Sequence, residues 1–87
     1  MLEDVKVALR VTAPEMNGEV QDLIDAALLD LTISGVVTTS EDALIKRAVI
    51  SYCRAYFGYD NPEAERFEHT YRTLRRKLSV SGDYRAT

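Results

Sequence analysis

Apolar side chains recur at helical intervals along most of this chain. Val20, Leu23, Ile24, Ala27, Leu28 and Leu31 follow i, i+3, i+4, i+7, i+8 and i+11, the spacing that lines one face of an α-helix. Ala64, Phe67, Tyr71, Leu74 and Leu78 alternate intervals of three and four residues, the seam spacing of a packed helical bundle. Leu44, Ile45, Ala48, Val49, Tyr52, Cys53 and Tyr56 make a third, wider apolar band. Leu2, Val5 and Leu9 mark a short helix before them. Short connections between amphipathic helices predict an all-α fold: a compact bundle of about four helices with a short C-terminal tail.

Punctuation sets the expected boundaries near residues 2–9, 19–34, 41–57 and 62–78. Thr12-Ala13-Pro14 breaks the first helix, because proline pushes the residue before it out of helical geometry. Asn17 is the expected N-cap of the second helix and Gly35 its C′ residue. Val36 to Ser40, β-branched and hydroxylated, reads as a loop or a short extended piece. Ser40 or Thr39 is expected to cap the third helix, with Glu41 and Asp42 in its first turn and Gly58 at its end. Asn61-Pro62 reads as an N-cap with proline at the first helical position. Residues 79–87 form a polar tail containing Gly82 and Tyr84. The expected core is Leu23, Ile24, Leu28, Leu44, Ile45, Val49, Phe67, Tyr71 and Leu74.

Eighty-seven residues make one domain. A domain of that size buries only about 60% of the surface of its unfolded chain, so a bound partner adds useful stability. At 46% hydrophobic and 29% charged the chain is too apolar for disorder. No apolar run approaches the roughly 20 residues of a membrane span. The start Met-Leu-Glu-Asp puts acids where a signal peptide carries bases, so the chain is expected to be intracellular or part of an assembly built inside a cell.

Charge divides the chain in two. Residues 1–45 hold nine acids and two bases, a balance of −7. Residues 46–87 hold nine bases and five acids, a balance of +4, which leaves the net −3 of the whole.

Residues able to do chemistry are few. A single cysteine, Cys53, forbids an internal disulfide, and its place in the apolar band suits a small buried hydrophobe. The single histidine, His69, lies off the seam of the fourth helix, with Glu65 one turn before it, and reads as a solvated side chain. Zinc would need carboxylates to complete its shell. Asp22, Asp25 and Asp30 lack calcium-loop spacing and read as a solvated acidic face. The four glycines are isolated, so no phosphate-cradling loop is present. Neither catalytic nor cofactor-binding nor metal-binding residues are expected. The basic cluster Arg72, Arg75, Arg76 and Lys77 has three readings: phosphate contact, charge matched to a helix C-terminus, or contact with an acidic protein surface. The overall acidity weighs against nucleic acid as the main ligand. Tyr52, Tyr56 and Tyr59, with Tyr71 in reach, suit either a core or an interface.

The order of segments is distinctive. A helix ending in Leu9-Arg10-Val11 is followed by a polar loop and then Asp22-Leu23-Ile24-Asp25-Ala26-Ala27. Asp42-Ala43-Leu44-Ile45-Lys46-Arg47-Ala48-Val49 follows, running on to Tyr52 and Tyr56, with a last helix and a short tail. This resembles the phage head–tail connector family, the small helical adaptors of tailed bacteriophages, over roughly residues 2–78. The chain is compact for that family, many of whose members carry more sequence after the second helix or at the C-terminus.

The resemblance implies a connector domain over residues 1–78 and a structural protein of the virion, assembled in the host cytoplasm. Such proteins form a ring, typically of about a dozen subunits, below the portal of the filled capsid after DNA packaging. The ring extends the DNA channel, through which DNA passes without sequence-specific binding, and docks the next head-completion or tail protein. The resemblance implies neither an enzyme nor a cofactor, and no membrane association is expected. Opposite-sign halves suit head-to-tail packing, which closes into rings when the rotation permits. The expected contact places Arg72, Arg75, Arg76 and Lys77 against Asp22, Asp25 and Asp30 of a neighbour, with the offset apolar pair Leu29 and Ile33, or exposed tyrosines, supplying most of the association energy; alternatively, these charges pair within one bundle. The alternative is a small nucleic-acid-binding regulator that uses the fourth helix.

Overall fold

The computed structural model describes residues 1–39, 42–58 and 60–86. Four α-helices lie among them: α1 (Leu2–Leu9), α2 (Asn17–Ile33), α3 (Ala43–Tyr56) and α4 (Ala64–Val80). The all-α expectation holds, and each predicted helix is present within three residues of its expected ends. Helix α3 is central and packs against α1, α2 and α4. Val5, Ile24, Leu31, Ile45, Val49 and Cys53 are sealed in the core between these helices.

The helix ends follow the physics of unpaired backbone groups. Gly35 adopts φ +88°, as the left-handed C′ position requires. The Gly35 N–H donates to the Thr32 carbonyl at 3.0 Å and the Val36 N–H to the Leu31 carbonyl at 2.9 Å, a Schellman arrangement. Its apolar counterpart is also present, because Leu31 and Val36 are both buried. Arg10 closes α1 in the same way, with φ 60°, and the Val11 N–H donates to the Lys6 carbonyl.

Three caps differ from expectation. Pro14–Met16 forms a 3₁₀ turn that runs straight into α2. Asn17 is therefore already helical and Met16 is the flanking residue, so Asn17 caps nothing; its buried Oδ1 has no partner among the described residues. The cap of α3 is Asp42, whose Oδ1 accepts from the Leu44 and Ile45 N–H groups, both at 3.1 Å. Thr39 lies upstream of that cap, and Ser40 and Glu41 fall outside the described residues. Asn61 does accept a backbone bond, from the Glu63 N–H at 3.1 Å, but through a turn that delays α4 to Ala64. The Asn61 amide also donates to the Arg54 carbonyl at 2.5 Å, pinning this turn to the end of α3.

The core differs in detail. Ile24, Ile45, Val49 and Tyr71 are buried as expected, while Leu23, Leu28 and Leu74 pack partly buried at its margin. Phe67 is half-buried. Leu44 is 45% exposed, because it follows the Asp42 cap on the outer side of α3, where Ile45 takes the inward position. Val36 belongs to the core although it lies in a loop. It is held there by the chain's end: Val36 and Arg85 form an isolated antiparallel bridge, and the Ala86 N–H donates to the Gly35 carbonyl at 2.8 Å. Tyr84 reaches back to α3, where its hydroxyl donates to Asp42 Oδ2 at 2.6 Å. That bond, with the N–H groups of Ile45 and Leu44, holds the Asp42 carboxyl below its ordinary range.

Candidate assembly surface

Helix α2 has two faces of different chemistry. Val20, Ile24, Ala27 and Leu31 point into the core. On the opposite side, Asp22, Asp25, Leu29 and Ile33 are exposed and fall within an arc of about 80° at 100° per residue. Leu29 is 60% and Ile33 75% exposed, too much for residues serving the bundle's own core. This outer face is therefore acidic in its N-terminal half and apolar in its C-terminal half.

Asp30 sits at the margin of that face and is committed within the chain. Its Oδ2 accepts from the Tyr71 hydroxyl at 2.5 Å and from Arg75 Nη1 at 2.8 Å. Partial burial pushes the Asp30 carboxyl up, but the two hydrogen bonds and the Arg75 charge outweigh it and hold the group below the usual range. The same contacts act in reverse on their donors. Burial first, then the bond to Asp30, raises the Tyr71 phenol, and the bond to Asp30 raises the Arg75 guanidinium. Arg75 also lies over the Tyr71 ring, 5.5 Å from its centroid, and Tyr71 meets Tyr52 edge-on at 5.1 Å. Tyr52 in turn packs against Tyr56 at 4.7 Å. The aromatic cluster expected between the third and fourth helices is thus present, except for Tyr59, which lies outside the described residues.

The basic cluster of α4 is divided by this arrangement. Arg75 pairs with Asp30 of the same chain, and Arg72 pairs with Glu68 one turn back. Glu68 also accepts from the Tyr56 hydroxyl at 2.6 Å, a bond that pushes that phenol up to about 12. Arg76 and Lys77 are exposed, as are Asp22 and Asp25. Asp30 and Arg75 follow the alternative pairing, the one inside a single chain.

A second concentration of positive charge escaped the sequence reading. Helices α3 and α4 enclose an open cavity of about 660 Å³. Lys46, Arg47 and Arg54 line it from α3, and Arg66 from α4, with Phe67 at its floor. Arg54 and Arg66 lie 5.3 and 5.0 Å from the Phe67 ring centroid. Lys46 pairs with Asp4 and Arg66 with Glu63, whereas Arg54 donates to the Ala8 carbonyl. A further cavity of about 450 Å³ shares Arg47 and Thr70 with the first and continues the groove towards Leu44, Leu74 and Lys77. The clue was available: Arg47 and Arg54 are seven residues apart on α3, hence on one face.

Cys53 is sealed in the core, where burial pushes its thiol up to about 12, so it is no thiolate nucleophile at neutral pH. His69 is exposed on α4. Among the described residues, no group of three or more His, Cys, Asp or Glu side chains is placed to hold a metal ion. No helix among them is long and apolar enough to cross a membrane.

The exposed pair Leu29 and Ile33 beside exposed acids on α2 is the kind of surface that suits contact with another protein. The protein-family model described as phage connector protein matches residues 1–85. The chain belongs to this family. The match spans all four helices and the returning end of the chain, and it bears out the resemblance to head–tail connectors. Membership gives the connector a structural role in a phage, assembly with other phage proteins and association with the virion. No match was found for the connector among curated proteins or among solved structures.

Proposed function

We propose that the protein is the head–tail connector of a tailed bacteriophage and that it forms a ring below the portal. The ring extends the channel through which DNA passes and presents a docking surface for the next head-completion or tail protein. The observation that carries this reading is the family match over residues 1–85. The outer face of α2 supports it, because Leu29 and Ile33 remain exposed after the bundle has packed. Asp22, Asp25, Leu29 and Ile33 are the proposed subunit-facing residues of that helix, with Arg76 and Lys77 as the exposed charges of α4. Asp30 and Arg75 contribute indirectly, by tying α2 to α4, and Arg72 through its pair with Glu68 along the α4 surface.

The role requires no catalytic step. Its work is geometric: a channel of constant bore and two chemically different rims, one for the portal and one for the next protein. Heterologous contacts repeated around an axis supply both.

The test is head completion in vitro. DNA-filled heads from a phage lacking this protein are incubated with purified connector and then with tails. Heads that gain the connector and become competent for tail joining are the expected result. Heads that bind none of it, and join tails equally well with and without it, would overturn the proposal.

A further inference from the structure

We infer that the outer face of α2 of one copy docks in the α3–α4 groove of the next, with α2 parallel to α4. This rests on the ring reading above and specifies its contact. The occupant is a second copy because the two surfaces are complementary in sequence along their length.

On α2, Asp22 and Asp25 precede Leu29 and Ile33, and all four are exposed on one face. In the groove, Arg54 and Arg66 line one end, Arg47 lies between, and Leu44 and Leu74 line the other with the flexible Lys77 side chain beside them. From Asp22 to Ile33 the helix rises about 16 Å, and from Leu44 to Arg54 about 15 Å, at 1.5 Å per residue. Acids therefore meet guanidinium groups where apolar residues meet Leu44 and Leu74 in only one of the two directions. That direction runs with α4, from Arg66 towards Leu74, and against α3. An apolar helix face laid in a groove, with charges fixing its direction, is a common recognition mode.

The groove replaces much of the role first assigned to the α4 cluster. Arg72 and Arg75 are held by Glu68 and Asp30 of their own chain; in the groove Arg66 is shared with the exposed Glu63 and Arg54 with the Ala8 carbonyl, and Arg47 has no ion pair among the described residues. The exposed half of Leu44, unexplained by the bundle's own packing, acquires a partner. The contact is heterologous, because face and groove are different surfaces, so each copy has one of each to offer.

The experiment is a charge exchange read by native mass measurement of the full chain, alone and with portal. Three variants are compared: Arg47→Glu with Arg66→Glu, Asp22→Lys with Asp25→Lys, and, as a control at exposed acids outside both surfaces, Glu3→Lys with Glu15→Lys. Helical content by circular dichroism confirms that each folds. The groove and face variants should each self-associate at least about tenfold more weakly than the native chain. Mixed together they should assemble again, because the reversed face fits the reversed groove. The control variant should assemble within about threefold of the native chain. The contact is overturned if the groove variant assembles like the native chain, or if the mixture fails to recover while both parents remain folded. It is also overturned if the groove variant keeps its assembly but loses salt-sensitive binding of duplex DNA, which would make the groove a phosphate contact. In each of those cases the native chain still forms rings, so the ring reading survives; a native chain that stays monomeric alone and with portal overturns both.

Discussion

Leu28 and Leu31 belong to the same apolar stripe in the sequence, yet they experience different environments. Leu31 is fully buried and forms the C3 partner of the Schellman turn, whereas Leu28 is only partly buried at the margin of the core. Truncation removes transfer energy and leaves a cavity in proportion to how completely the site is enclosed. Leu31→Ala should therefore cost roughly 2–5 kcal/mol, and Leu28→Ala distinctly less, both read from urea titration of the native and variant chains. Equal losses would mean that the α2 stripe is buried uniformly. Which residues lie on the stripe was legible from their spacing. How deeply each lies was not, because depth depends on what the facing element supplies. Leu44 shows the same limit: its spacing fits the α3 band, but only the angular position set by the Asp42 cap decides that Ile45 points inward. Val36 was hidden for a different reason. No local pattern announces that the end of the chain will return to cover it.

Among the helices, existence and order were evident from periodicity, and the glycine stops at Gly35 and Gly58 were correctly placed because a left-handed C′ residue has a strong chemical preference. The starts were harder. At α2 the Pro14–Met16 turn carries the chain into the helix before Asn17 can cap it, and at α3 the hydroxyl residues Thr39 and Ser40 compete in sequence with Asp42, whose carboxylate makes the cap. The contact between α2 and α4 was legible only as opposite charge. Its partners within one chain depended on Tyr71, an expected core residue whose hydroxyl draws Asp30 inward. This contact also carries a pH signature. The folded Asp30 carboxyl lies below its ordinary value, so the unfolded chain binds protons more readily, and stability falls as pH drops through the folded pKa. Thermal melts of the native chain and Asp30→Asn between about pH 7 and about pH 3 should differ most at neutral pH and converge in acid. Asp42, also held low, adds a loss of the same sign in both proteins, so it does not close the gap. A constant difference across the range would show that Asp30 contributes through packing rather than charge.

The protein as a unit divides its surface unequally. Its core is completed by four helices and a returning end of chain, and a few polar side chains (Asp30, Asp42, Tyr71, Arg75 and Tyr84) tie the elements together. The outer stripe of α2 and the basic groove between α3 and α4 are two of the surfaces left to solvent, beside single exposed residues such as Val7 and Val80. The α2 stripe was visible in the sequence as an offset apolar pair after two acids. The groove was not, because it exists only where two helices meet. Family membership explains why a small domain would keep such surfaces: a connector is completed by its neighbours, and their binding adds the stability that a single small core provides sparingly. Whether copies of this chain close into a ring on the portal is decided by native mass measurement of the connector bound to its portal, with electron microscopy of the same sample. The expected result is a bound mass that is a whole multiple of the 9.8 kDa chain, arranged as a closed ring around an open channel. A portal that binds single, separated copies, or none at all, would contradict it.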